Sequence, residues 1–227
     1  MKSDRLKELP LFSFLSDPAR NTLAKEVTET CYAKGEFIFR EGDPADYFHI
    51  LKEGAVKCVK SNPDGKEVTL KLLMPGDLFC CEAAVFDGGG HPGCAKPLGD
   101  ATVLRVSKKA YYAMLREHPE AALDVIKYLG NRLNEAQEKA KVLALDQAEQ
   151  RMAALLVTLA QRTGVKDTDG IRLMVPLTRQ DLADMAGITV ETAIRIMSRF
   201  KKAGFVTGTA KKILVQNLQQ LKDLASV

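Results

Sequence analysis

The chain has 227 residues, with 46% apolar and 27% charged residues, enough for one large or two modest globular domains with real cores. No run of about 18 apolar residues occurs, so no membrane-spanning helix is expected, and the opening Met1-Lys2-Ser3-Asp4-Arg5 does not lead into a signal-peptide core. The net charge of +4 is too mild to name a partner, and five cysteines (Cys31, Cys58, Cys80, Cys81, Cys94) make no disulfide framework, so a cytosolic location is the expectation.

Residues 4–30 read as a helical lead-in, with Ser16-Asp17-Pro18 as an N-cap followed by proline in the first turn. From Cys31 to Val106 short strands alternate with turn signals. Strands are predicted at Phe37–Phe39, Tyr47–Leu51, Val56–Val59, Val68–Leu73 and Val103–Val106, with a hairpin at Asn62-Pro63-Asp64-Gly65. Strands this short and this closely spaced predict a rolled or closed antiparallel sheet. The segment 87–93, Asp-Gly-Gly-Gly-His-Pro-Gly, is a glycine-dense loop, where His91 would ordinarily be a surface residue.

From Lys108 the pattern is helical. Ile126, Leu129, Leu133, Ala136, Ala140 and Leu143 recur at spacings of 3 and 4, an a/d seam over 121–145 that suits a parallel dimer coil better than packing on the chain's own sheet. A second helix is predicted over 146–163, then a polar loop ending in Asp169-Gly170 and a strand over 171–175. The expected architecture is α+β. A β-roll occupies 1–119, a dimerisation helix 120–145, and a winged helix-turn-helix 146–227.

The segment 178–200 carries the most specific pattern. Thr178 caps a helix whose inward face is Leu182, Ala183, Met185 and Ala186; Gly187 supplies the turn; Thr189 caps a second helix with Glu191 in its first turn. Ile194, Met197 and Phe200 are expected as its buried stripe, and Glu191, Thr192, Arg195 and Arg199 as its outer face. Arginine can donate two hydrogen bonds to guanine, and glutamate can accept from the cytosine amino group, so this face suits a major groove. A two-stranded wing is expected around residues 209–212, and between Thr178 and Lys212 seven basic residues stand against three acidic ones, which suits phosphate contact.

On these residues the chain resembles the Crp/Fnr family of bacterial transcription regulators over nearly its full length. The resemblance rests on Lys34-Gly35-Glu36, Glu41-Gly42-Asp43, Gly54-Ala55-Val56, Asp64-Gly65-Lys66 and Pro75-Gly76-Asp77 in the first half, and on 178–183 and 189–195 in the second. It implies a twofold homodimer through the long helix, double-stranded DNA with an inverted-repeat operator, and RNA polymerase as a partner if the regulator activates. The implied DNA-contacting set is Thr178, Arg179, Gln180, Thr189, Val190, Glu191, Thr192, Ile194, Arg195, Arg199, Lys211 and Lys212. The base-reading positions among them are Val190, Glu191, Ile194 and Arg195, of which the Glu–Arg pair matches a T-G-A core while Ile194 departs from the serine of the oxygen-sensing branch.

The resemblance also bears on the signal. Where cyclic-AMP receptors carry a phosphate-binding arginine, this chain has His91-Pro92, so cyclic AMP is not the expected effector. No cysteine cluster precedes Cys31, so the oxygen sensor's iron–sulfur cluster does not fit either. The sensor segment looks closest to nitrogen-oxide-responsive members, which implies haem, with Cys80, Cys81, Glu82, His91 and Cys94 as effector or cofactor residues and His49 or His118 behind them. A cyclic-nucleotide-dependent regulator of the same fold, or thiol redox sensing through Cys80 and Cys81, is the alternative. An enzyme is not expected, because the three histidines are scattered and no nucleophile–base pair is evident. A β-roll that only binds a ligand is the other rival, and it would need neither the wing nor a basic reading face.

Overall fold

Ser16 accepts the Ala19 amide and starts helix α1 (Asp17–Lys25), with proline in the first turn as the sequence predicts. The computed structural model describes residues 6–7, 12–13, 15–61, 67–79, 88–209 and 212–225. The chain forms two compact units, one of 1–58 with 72–138 and one of 59–71 with 139–227.

The first unit departs from the predicted lead-in at once. Residues 27–32 are not helical but form β1 (Val27–Tyr32), which pairs antiparallel with β7 (Ala101–Ser107) along its whole length. β2 (Tyr47–Glu53) pairs with the other edge of β7 and with β5 (Leu78–Phe79), so the sheet order is β1-β7-β2-β5. β3 (Val56–Ser61), β4 (Glu67–Leu73) and β6 (Cys94–Pro97) make a second sheet in the order β4-β3-β6. The predicted strand at 37–39 is only a single bridge, Phe39 to Ala95. The hairpin tip at 62–66 lies outside the described residues.

Side chains alternate faces along β2 and β7, so the sheet is apolar on both sides. Phe48, Ile50, Leu104 and Val106 pack on a helical layer with Leu23, Tyr111 and Met114. Leu51, Val103, Phe39, Phe79, Val56 and Leu73 fill the interior of the roll. Ser107 caps α2 (Lys108–Glu117), and α3 (Glu120–Leu145) follows as the predicted long helix. The described side chains of α3 are 121–123, 125–127, 129–131, 133–137 and 140. Ala121 is buried against the roll's helical layer, but Leu123, Ile126, Leu129 and Leu133 are 63%, 64%, 40% and 59% exposed. Ala136 and Ala140 are exposed as well, and the side chain of Leu143 is outside the description.

In the second unit α4 (Ala148–Thr163) does not run into a loop as expected. It passes into a hairpin of β8 (Gly164–Asp167) and β9 (Gly170–Leu173). Gly164 makes this abrupt change possible, since a Cβ there would collide with the Ala160 carbonyl and the Ile171 side chain. Only Val165 is apolar among the four residues of β8, so no alternating pattern announced it. The wing, β10 (Val206–Thr209) and β11 (Lys212–Val215), joins this hairpin in one sheet of order β10-β11-β9-β8. Helices α5 (Arg179–Ala186) and α6 (Val190–Lys202) form the helix-turn-helix. An unforeseen α7 (Leu218–Ala225) lies along α4, burying Leu221 and Ala225.

Candidate functional site

The helix-turn-helix is built from reciprocal local hydrogen bonds. The Thr178 hydroxyl accepts the Asp181 amide at 3.1 Å and donates to the Asp181 carboxylate at 2.6 Å, which also takes the Thr178 amide at 2.9 Å. Gly187 ends α5 in the left-handed region at φ 64° and ψ 42°, its amide reaching back to the Ala183 and Asp184 carbonyls. The Thr189 hydroxyl accepts the Thr192 amide at 3.2 Å and opens α6.

On α6 the buried stripe is Ala193, Ile196, Met197 and Phe200. This corrects the expectation for Ile194, which is 50% exposed. Its one-residue difference from Ala193 rotates it by about 100° onto the outer face. Glu191, Ile194 and Arg195 are therefore exposed together, with Val190 and Thr192 half-buried beside them. Glu191 sits at the helix N-terminus, where its own backbone amide and the Thr189 hydroxyl lower its pKa, so its carboxylate is charged and accepts only.

The remaining expected DNA-contacting residues divide. Lys212 is exposed at the wing, opposite Thr209 in the hairpin register, and the Lys201 ammonium donates to the Gly208 carbonyl in the same wing. Lys211 lies outside the described residues. Thr178 and Thr189 have their hydroxyls engaged as caps, and the Gln180 amide donates to Asp184 at 2.6 Å. Arg179 is half-buried, with Nη1 enclosed. Arg199 is ion-paired with Glu149 of α4 at 2.8 Å, though its side chain is 63% exposed.

The sensor candidates fall differently. His91 is not on the surface but 3% exposed, its ring stacked on Phe39 with centroids 3.7 Å apart and planes 9° apart. The His91 amide donates to the Asp43 carbonyl and its carbonyl accepts the Gly42 amide, both at 2.9 Å, which folds the glycine loop inward. His49, on β2, is 4% exposed and lies 5.8 Å from His91 and 5.3 Å from Phe79, centroid to centroid. Burial pushes the His49 pKa down to about 3, with His91 and then Arg105 adding to the effect, so His49 is neutral at neutral pH. Cys94 is half-buried, and its sulfur accepts the Glu41 amide at 3.4 Å. His118 is the C-cap of α2. Cys80, Cys81 and Glu82 lie outside the described residues.

Among the described residues no three His, Cys, Asp or Glu side chains converge as metal ligands. Rings packed this closely leave no slot for a planar macrocycle, so the His49–His91 cluster does not fit haem as it stands. No described helix is long and apolar enough to cross a membrane.

Residues 29–118 match the cyclic nucleotide-binding domain and residues 150–224 the Crp-like helix-turn-helix domain. The chain is 26% identical over 211 residues to a "CRP-like cAMP-activated global transcriptional regulator" of Mycobacterium tuberculosis, covering 93% of this chain and 94% of that protein. It is also 26% identical to an "Anaerobic regulatory protein" of Aggregatibacter actinomycetemcomitans, over 85% of this chain and 74% of that protein. Among solved structures, FixK2 from Bradyrhizobium japonicum superposes with a TM-score of 0.78 at 26% identity, covering 88% of this chain and 98% of that one. A CooA mutant from Carboxydothermus hydrogenoformans gives a TM-score of 0.73 at 27% identity, covering 90% of each.

Proposed function

Because this chain belongs to the Crp/Fnr family of DNA-binding transcription regulators, we propose that it binds an inverted-repeat operator as a homodimer under the control of a small effector read by the β-roll. The observation that carries the DNA reading is the exposure of Glu191, Ile194 and Arg195 on one side of α6, with Ala193, Ile196, Met197 and Phe200 buried on the other. An acceptor and a bidentate donor one helical turn apart can read adjacent bases, while Lys212 on the wing meets phosphate. The dimer reading rests on α3, whose Ile126, Leu129 and Leu133 face solvent in the single chain in the register of a coiled coil.

Redox or nitrogen-oxide stress is the signal class this reading favours. The sensor segment carries vicinal thiols, Cys80 and Cys81. Where a cyclic nucleotide would need a cation, His91 is stacked on Phe39 beside a neutral His49. Haem chemistry in this chain would rest on Cys80 or Cys81, or on His91 drawn out of its stack.

Retention on a duplex with T-G-A half-sites in inverted repeat, against a scrambled duplex of equal length, tests the DNA reading. Preference for the inverted repeat is expected, and equal retention would remove it. Titration with haemin, read as absorption with and without nitric oxide, tests the signal. A stoichiometric Soret band that shifts with the gas supports haem, and its absence leaves the thiols or an organic ligand.

A further inference from the structure

Arg151 stands in the first turns of α4, half-buried, and its guanidinium donates to three backbone carbonyls. Nε reaches Ala186 at 3.0 Å and Nη2 reaches Gly187 at 3.1 Å. Nη1 reaches Asp146 at 3.0 Å. The Ala186 and Gly187 carbonyls belong to the end of α5, where a helix leaves its last acceptors unsatisfied and carries partial negative charge. Gly187 is also the turn from which the recognition helix α6 starts. Asp146 directly follows the last residue of α3. One planar group thus fastens the end of the long helix to the turn that launches the reading helix.

A second contact comes from the same stretch of α4. Glu149, two residues before Arg151, accepts from Arg199 Nη2 at 2.8 Å, near the C-terminal end of α6. The turn before the recognition helix and that helix's C-terminal end are therefore both held from one short segment next to Asp146.

We propose that Arg151 is a positioning residue for DNA reading, which locks the orientation of α6 to the end of α3. It touches no base. A displacement at residue 146 is carried through the guanidinium to the 186–187 carbonyls and so to Glu191 and Arg195. Arginine suits this role because its five donors lie in a rigid plane and can serve diverging acceptors together. A lysine ammonium keeps the charge but reaches such acceptors from a single centre on a flexible stem. The proposal rests on the DNA reading above, and it adds what holds the reading helix in place.

The test uses the full chain and the variants Arg151→Gln and Arg151→Lys, the second in case the first folds poorly. Affinities are measured on the inverted-repeat T-G-A duplex and on the scrambled duplex, with amide hydrogen exchange recorded on the free proteins. Either variant should lose about ten-fold on the specific duplex, the loss a displaced base contact brings. It should change less than two-fold on the scrambled duplex and keep the parent's circular dichroism at the assay temperature. Exchange should quicken together over 145–148 and 186–192. An equal loss on both duplexes, or exchange quickening in only one of the two segments, overturns the proposal. If the parent fails to distinguish the duplexes, the DNA reading is what falls, and joint or separate exchange at the two segments still decides whether Arg151 couples them.

Discussion

The imidazole of His91 lies flat on the ring of Phe39, and His49 meets the edge of the same imidazole inside the β-roll. The loop 88–93 is therefore anchored in the core by its one large side chain. Any effector that acts in this part of the roll must either contact the stack or displace it.

That packing makes stability depend on pH. In the folded chain the pKa of His49 is lowered to about 3 from 6.5, so below pH 6.5 the unfolded chain takes up a proton that the folded chain refuses. The stabilisation is complete above pH 6.5 and is lost as pH falls toward 3, with a slope of up to about 1.4 kcal/mol per pH unit. Denaturant unfolding across this window should show the decline, and His49→Phe should flatten it. A parent and variant with the same pH dependence would show that His49 does not set it.

Arg195→Ala should weaken binding to the inverted repeat by about 1–3 kcal/mol and relax preference at one base pair per half-site. Competition with single-base variants of the duplex measures this. A variant with the parent's preference at every position would place the reading face elsewhere.

Lys212, exposed on the wing, should behave differently. Lys212→Ala should weaken specific and scrambled duplexes alike and make the slope of log K against log salt shallower by about one for each phosphate no longer neutralised. A sequence-dependent effect would make Lys212 a base reader.

Leu133 is 59% exposed in the seam of α3. Leu133→Asp would place a charge at the centre of a coiled-coil interface, so sedimentation should show half the parent's mass, and operator retention should fall with it. A parent that sediments as a monomer, or a variant that stays dimeric, removes this seam as the dimer interface.

Gly187 holds the left-handed turn at φ 64°. Gly187→Ala should cost about 1–2 kcal/mol in the C-terminal unit, the penalty of a Cβ in that backbone region. Thermal unfolding followed with and without duplex would read it, and an unchanged transition would mean the turn relaxes.

How far the sequence could be read depended on distance along the chain. The caps at Ser16, Thr178 and Thr189 and the turn at Gly187 arise from neighbours within one or two turns and were legible, whereas the stripe of α6 was legible at Met197 and Phe200 but not at Ala193 and Ile196. Ile194 was misplaced because a stripe read at spacing three admits two rotations of the helix, and only packing against the rest of the unit chooses between them. β1 was hidden because Val27 is its one fully buried residue, and its strand form is supplied by the backbone of β7.

The residues alone determined that this chain carries a rolled antiparallel sheet, a long seam-bearing helix and a winged helix-turn-helix with Glu191 and Arg195 on the outer face of its second helix, because these follow from local periodicity, caps and turn chemistry. Only the tertiary structure decided that His91 is core, that Arg199 is tied to Glu149, and that Arg151 joins Asp146 to the turn at Gly187. The physical reason is the nature of the partners. Backbone carbonyls 35 and 36 residues away from Arg151 leave no mark in the amino-acid pattern. A histidine in a Gly-Gly-Gly-His-Pro-Gly run reads as loop until the chain brings Phe39 against it.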